Sequence, residues 1–441
     1  MKHGFRKLAN ALILFAFAVL FIGGYWGGLS ENQPLKDFLE VFILCYLVIA
    51  FIRQIGLFVG TLIFKLKIKA IKRKSINYHP FVTILVPAYN EEKVIADTVK
   101  NLLQQNYDNY EILVIDDGST DTTSAQVWNL IAQNPHRDCR IILQANKGKA
   151  AALNYGISES EGEIIMCVDA DSKLNLNAIQ NGVRHFVDAK VGAVSGFVRV
   201  GRTSSTLLKF QDLEYSITLN FTRPALALTG SVTIVPGPAG MFRKEVLASI
   251  HGYNEDRDIF AEDADLTIRL LAHGYKVTSE SQMISYTEAP QNLKALLRQR
   301  YRWNRGILQA ILANIKPLTT TAGWRGKYIV SYLLLDALVV RSINFALCLY
   351  FIGNFYSTGE VYLFTKWFAA LMVMDCTIVT FTASSLRAYL GNLIVLILSR
   401  VSYDFVLLTW GVCSTVDECL ESRMTWDKLE RTGQLIAERS T

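Results

Sequence analysis

The chain has 441 residues, of which 51% are hydrophobic, with a mean hydropathy of +0.24 and a formal net charge of +6. The length suffices for a globular domain plus membrane spans, and the apolar excess sits at the two ends, leaving an ordinary middle. The basic charge is local, with one cluster at Lys65, Lys67, Lys69, Lys72, Arg73 and Lys74 and a second between Lys294 and Arg305. Both clusters border hydrophobic or basic amphipathic sequence, so they fit positive-inside topology and contact with anionic membrane lipid; no nucleic acid partner is expected. The seven cysteines form no CxxC pair and no metal-type spacing, which reads as reduced, mostly buried thiols in a cytosolic domain.

In chain order, residues 1–77 read as two transmembrane helices and a basic linker. The first apolar stretch, about 8–29, follows Lys2, Arg6 and Lys7 and is too long for a signal peptide. The second, about 38–64, contains Arg53, which predicts packing against protein at that depth. The lysine cluster after it should face the cytoplasm, and two crossings would put the N-terminus there too.

Residues 78–290 change to alternating strands and helices. Strands are predicted at 81–86, 110–115, 140–143 and 163–168, with helices at 91–103, 120–132, 149–158 and 175–187. Continuous apolar strands alternating with helices predict a Rossmann-like, mostly parallel α/β sheet. Ligands bind such sheets at the carboxyl ends of the strands. The chemistry is therefore expected just after Val86, Ile115 and Val168.

Acidic residues stand at those places. The second strand ends in Asp116-Asp117-Gly118-Ser119, and adjacent carboxylates at a strand tip need a ligand, a cation or backbone donors. The fourth ends in Asp169-Ala170-Asp171, whose period of two points both carboxylates to one face. They can share a hard divalent cation and leave sites for diphosphate oxygens; a solvated acidic turn is the plainer alternative. Lys149 opens a helix after Asn146-Lys147-Gly148, where backbone donors and the ammonium suit a phosphate, although a surface lysine would look the same. Gly237-Pro238-Ala239-Gly240 would allow close approach to a sugar ring, or form an ordinary loop. Glu262-Asp263 opens an apolar-periodic helix, where the dipole alone accounts for carboxylates; a general base at Asp263 is the functional reading.

Residues 291–325 read as amphipathic interface helices. Gln299, Arg302 and Trp303 stand at i, i+3 and i+4 and share one face. Arg302 could stabilise a leaving diphosphate and Trp303 could stack on a sugar; an interfacial anchor is the alternative. Residues 326–413 hold three apolar stretches, about 328–355, 361–381 and 389–413, carrying Asp336, Arg341, Arg400 and Asp404. Charges at those depths predict packed or channel-facing helices, or one interfacial segment in place of a full span. Residues 414–441 read as a cytoplasmic-type, membrane-hugging tail.

In motif order these residues resemble the processive family 2 glycosyltransferases, the cellulose, chitin, hyaluronan and poly-N-acetylglucosamine synthases. The shared signature is an aspartate at the second strand, a DxD, an ED pair and QxxRW, supplied here by Asp116 or Asp117, Asp169 with Asp171, Glu262-Asp263, and Gln299, Arg302 and Trp303. Length and leading spans look most like the poly-β-1,6-N-acetylglucosamine synthase group, with one departure: Ala261 stands where many members have Thr.

The resemblance implies a GT-A domain on the cytoplasmic side of the plasma (inner) membrane, inserted between transmembrane helices. It implies inverting, processive polymerisation of a UDP-sugar, with UDP-N-acetylglucosamine the expected donor, and translocation of the polysaccharide. Pro87, Tyr89, Glu91, Asp116 and Asp117 would hold the donor with Lys149, Asp169 and Arg302. Asp169 and Asp171 would hold Mg2+ or Mn2+, Asp263 with Glu262 would perform catalysis, and Gly240, Gln299 and Trp303 would bind the growing polysaccharide. A small membrane partner subunit is also implied. The competing expectations are single-sugar transfer to a lipid phosphate carrier, a β-glucan or cellulose-type synthase using UDP-glucose, and a non-catalytic membrane module.

Overall fold

The computed structural model describes residues 33–74, 78–256, 260–380 and 385–422. The first predicted span and most of the C-terminal tail lie outside these residues.

The centre is one eight-stranded sheet in the order β3-β2-β1-β4-β7-β6-β8-β5. Its parallel half comprises β1 (Val82–Ala88), β2 (Tyr110–Asp116), β3 (Cys139–Leu143) and β4 (Ile164–Cys167), four strands close to the predicted ones. Successive residues of these strands point to opposite faces, and both faces are covered. Ile84, Ile112, Val114 and Met166 pack on the helices Ile95–Leu102 and Thr123–Gln133. Leu85, Leu113, Ile115 and Ile165 pack with Leu153, Leu266 and Ile311 on the other side. That requirement explains why the strands are mostly apolar, with the buried Glu111 answered by the Thr83 hydroxyl and Arg140.

The second half is mixed. β5 (Ser172–Leu174) pairs antiparallel with β8 (Lys276–Thr287), β7 (Gly240–Arg243) pairs antiparallel with both β4 and β6 (Val191–Val200), and β6 runs parallel to β8. β8 carries the buried Glu280, which pairs with His185 at 2.9 Å and Arg184 at 3.7 Å. A polar interior strand survives because its charge is matched there.

Among the described residues, three helices are long and apolar enough to cross a membrane: Asp37–Lys72, Gly323–Thr358 and Tyr362–Val379. The last apolar stretch is broken, since Leu386–Arg400 and Tyr403–Cys419 meet at a 50° bend. The charges at these depths pair with one another. Arg53 reaches Asp336 at 2.8 Å, and Arg400 binds Asp375 at 2.7 Å and Asp404 at 3.1 Å. Arg341 donates to the Gly411 carbonyl. The first described helix, Gln33–Lys74, docks on the domain where Gly60 approaches Ala225 and the Thr61 hydroxyl donates to the Phe221 carbonyl.

The amphipathic segment forms one helix, Leu293–Thr320, capped by the Asn292 side chain, which accepts from the Ala295 N–H at 2.9 Å. Its apolar face joins the core beneath the sheet through Ala310, Ile311 and Leu318. A Cβ on Gly306 would lie 2.5 Å from the Ala261 Cβ, so the helix passes in contact with the residue preceding Glu262 and Asp263. Helix 293–320 is thereby fixed against the acidic end of helix Glu262–Ala272.

Candidate active site

The carboxyl ends of β1, β2 and β4 meet the N-termini of helices Lys149–Glu159 and Glu262–Ala272. At the β1 tip, Asn90 takes a left-handed conformation (φ 52°), and its side-chain oxygen accepts from the Thr120 N–H at 2.8 Å, joining the first two tips. Tyr89 is the exposed aromatic of that turn, while Glu91 is buried and its N–H donates to the Thr123 hydroxyl.

The two carboxylates at the β2 tip are both buried and both supplied with donors from the protein. Asp116 accepts from the Ser119 N–H at 2.8 Å and from the Ser124 hydroxyl. Asp117 accepts from Gln144 Nε2 at 2.6 Å, the Lys147 N–H at 2.9 Å and the Gly148 N–H at 2.8 Å. Backbone donors thus answer the need that adjacent aspartates create. Gly118 makes this turn at φ 79°, and a Cβ there would sit 2.9 Å from the Asn146 nitrogen. Asp117 therefore fixes the 144–148 loop that leads into Lys149.

Lys149 is the cation of the pocket. Its Nζ lies 2.7 Å from Asp169 Oδ1 and 3.3 Å from Glu262 Oε1. Burial would lower its pKa, but Asp169 and Glu262, with Asp263 behind them, outweigh burial and raise it. Gly237 closes the same corner, since a Cβ there would come 2.9 Å from Lys149 Nζ and 3.4 Å from Asp169. Asp171 is buried, with Oδ1 near the Ser172 and Thr287 hydroxyls at 3.2 and 3.4 Å.

Asp263 faces the same pocket, whose lining also includes Pro87, Cys167 and Tyr253. Burial pushes its carboxyl up to about 6 and Glu262 adds to the rise, while Lys149, the Ala264 N–H and Arg302 pull it back. Near pH 7 such a group is ionised yet basic enough to take a proton. Cys167 offers no nucleophile: burial pushes its thiol up to about 11, and it contacts the Tyr253 hydroxyl at 3.3 Å.

Gln299, Arg302 and Trp303 lie on helix 293–320, and Arg302 is within electrostatic reach of Asp263. Trp303 lies under the Arg300 guanidinium, 4.3 Å from the ring centroid, with Tyr215 at 6.4 Å. Gly240 is buried inside β7, paired to Cys167 and Ser195 on either side, and the glycine at the pocket is Gly237. The reason is spacing: the short 3-10 turn Gly237–Ala239 ends where the strand begins, so only its first glycine reaches Lys149.

Sequence reasoning placed Gly237 only in a loop that could approach a sugar, and it missed Tyr253 and Arg223. Arg223 follows a π-helical turn, Thr218–Thr222, and donates to the Ser195 hydroxyl at 2.6 Å. Burial lowers its pKa to about 10, and only Asp263 opposes the fall. Nothing in the local sequence marks it, because its place depends on an irregular helix.

The acidic cluster also passes a chemical test for a cation. Asp169 and Glu262 already stabilise one positive charge, and oxygen donors of this kind suit a hard divalent ion. Among the described residues no three His, Cys, Asp or Glu side chains form a ready cage. One or two carboxylates plus phosphate oxygens suffice for Mg2+.

Residues 83–250 match the sequence model of Glycosyl transferase family 2. Poly-beta-1,6-N-acetyl-D-glucosamine synthase of Staphylococcus aureus is 33% identical over 232 residues, covering 52% of this chain and 55% of that protein. The Staphylococcus epidermidis synthase of the same name is 30% identical over 242 residues, 54% of this chain and 58% of that one. The chain thus spans little more than half the length of the curated relatives it matches. A mannosyltransferase from Pyrobaculum calidifontis, solved in complex with GDP-Man and Mn2+, has a TM-score of 0.56 at 21% identity, covering 87% of this chain and 100% of that chain. At that identity the likeness concerns the fold alone. Residues 83–250 thus form a family 2 glycosyltransferase domain, built on a GT-A sheet.

Proposed function

We propose that the chain polymerises a β-linked polysaccharide from UDP-N-acetylglucosamine at a cytoplasmic membrane face and passes the product across the membrane. The observation that carries this reading is Lys149, whose ammonium joins Asp169 to Glu262 beside Asp263. A phosphate-binding corner and a proton acceptor thereby share one pocket. The 33% identity to a synthase of poly-β-1,6-N-acetylglucosamine supports the choice of sugar.

In this reading Pro87, Tyr89 and Glu91 form the wall for uracil, and Asp117 shapes it through the 144–148 loop. Lys149 and Arg302 take the diphosphate. Asp169 and Asp171 would hold a divalent cation, Mg2+ or Mn2+, which when bound neutralises charge on the departing UDP. Asp263 accepts the proton of the acceptor hydroxyl as its oxygen attacks the anomeric carbon, and the bond to UDP breaks on the opposite side. An α-linked donor then gives a β-linkage. Trp303 and Gln299 position the acceptor end, and Glu262 holds Lys149 toward the base. The apolar helices and their paired charges support a multi-pass protein in contact with membrane lipid, and a small membrane partner subunit belongs to the same reading.

Two results are expected. The purified chain in detergent should release UDP much faster from UDP-N-acetylglucosamine than from UDP-glucose; the reverse ranking would place it with the β-glucan synthases. The acid limb of kcat/KM should fall near pH 6, where Asp263 becomes protonated and loses its capacity to accept a proton. A limb near pH 4, the range of an ordinary carboxylate, would remove Asp263 from that role.

A further inference from the structure

Trp303 is oriented from a distance. Arg300 covers one face of its indole, and the same guanidinium lies 5.5 Å over the Tyr215 ring. Arg300 is nearly buried, and its Nη2 donates to Glu214 Oε2 at 2.8 Å. Its Nε has no hydrogen-bond partner among the described residues, and the plane of the fork is held by the ion pair with Glu214 together with the Tyr215 and Tyr403 hydroxyls. The same Glu214 oxygen accepts from the Tyr403 hydroxyl at 2.6 Å. Tyr403 is the first residue of helix Tyr403–Cys419, immediately after the 50° bend in the last apolar pair. Glu214 itself belongs to helix Thr206–Ile217 of the catalytic domain. One carboxylate oxygen therefore joins the catalytic domain, the helix of Trp303 and the bend of the membrane helices.

We propose that Glu214 is a positioning residue for the acceptor: it sets the plane of Trp303 through Arg300 and ties that plane to the membrane bend through Tyr403. The ligand positioned is the terminal sugar of a growing glycan, whose apolar face would stack on the indole. This role rests on the reading of Trp303 as the acceptor platform. Because Arg300 holds one face and Glu214 holds Arg300, a change in the bend at Tyr403 is felt where the sugar lies. Small displacements of a positioned reactant are costly in rate.

The test uses the full chain in detergent micelles with labelled UDP-N-acetylglucosamine and reads the ratio of sugar polymerised to sugar hydrolysed. Glu214→Gln should lower this ratio about tenfold, by raising KM for an added oligosaccharide while KM for the donor stays the same. Tyr403→Phe, which keeps the ring contact with Phe210, should shift the ratio less and in the same direction. Arg300→Lys keeps the charge and loses the planar stack, so it should match Glu214→Gln, and the double variant should be no worse than either single one. If Glu214→Gln does not fold, Tyr403→Phe and Arg300→Lys carry the comparison. A normal ratio in the Glu214 and Arg300 variants, with a reduced ratio in Trp303→Ala, would overturn the positioning role and leave the platform standing. Additive losses in the double variant would also overturn it. An unchanged ratio in Trp303→Ala would remove the platform reading itself.

Discussion

Asp263→Asn should lower the rate of sugar transfer at saturating donor by about 10²–10⁴-fold, the range that general-base help contributes. The amide keeps the shape of the carboxyl and can still accept the Ala264 N–H, which bonds Oδ1 at 2.8 Å. What it loses is the proton acceptor raised toward neutrality by burial and by Glu262. Binding of UDP, read by titration calorimetry, should remain similar, because the phosphate corner at Lys149 and Asp169 is built from other elements. A loss smaller than about tenfold would mean that Asp263 is not the base, since proton transfer would then have another route.

Removing divalent metal should be as severe. Asp169, Glu262 and Asp263 present three carboxyl groups to the Lys149 ammonium, with Arg223 and Arg302 also acting on Asp263. These cations offset the carboxylates, and a nucleoside diphosphate brings at least two further negative charges at about neutral pH. A hard dication is the simplest way to balance that sum. Chelation should reduce transfer by at least ~10²-fold, equivalent to several kcal/mol of lost charge stabilisation. Mg2+ or Mn2+ should restore it, and Asp171→Asn should raise the concentration of metal needed. Full turnover in chelator, with no metal found by elemental analysis, would contradict the assignment of Asp169 and Asp171.

How much of this was legible depended on the kind of element. β1, β2 and β4 were readable because parallel central strands must be apolar on both faces, and the edge strand β3 was readable from Ile141-Ile142-Leu143. The acidic tips followed, since a parallel sheet delivers its ligands at that edge. β8 escaped because its sequence, from Lys276 to Thr287, is rich in Ser and Thr, and the pairing of its one Glu, Glu280, with His185 and Arg184 makes it tolerable inside. β7 is four residues long and takes its place from partners on both sides.

At the site, residue types were visible but their partners were not. Asp116 and Asp117 looked like bare carboxylates, and the loop that answers them lies about 30 positions away in sequence for Asp117, bonded through backbone N–H groups that no residue type announces. The helix of Gln299, Arg302 and Trp303 was expected from spacing, yet its closeness to the base depends on Gly306 meeting Ala261, a contact between two small residues. That contact also gives the departure at Ala261 a physical setting, because the helix passes directly over its Cβ. Charges in the apolar helices were seen, and whether they pair or face a channel could be decided only by distances such as Arg53 to Asp336.

The most direct test is the size of the product. The purified full chain, supplied with radiolabelled UDP-N-acetylglucosamine, Mg2+ and detergent, should convert label into a polymer that elutes far above the monosaccharide on gel filtration and is degraded by a hexosaminidase specific for β-linked N-acetylglucosamine. Wild-type activity should make long chains, Asp263→Asn should make none, and Trp303→Ala should release mainly free sugar. Label recovered as a single sugar on a lipid phosphate, with no oligomer at any time, would contradict the polymerising reading while leaving a family 2 transferase in place.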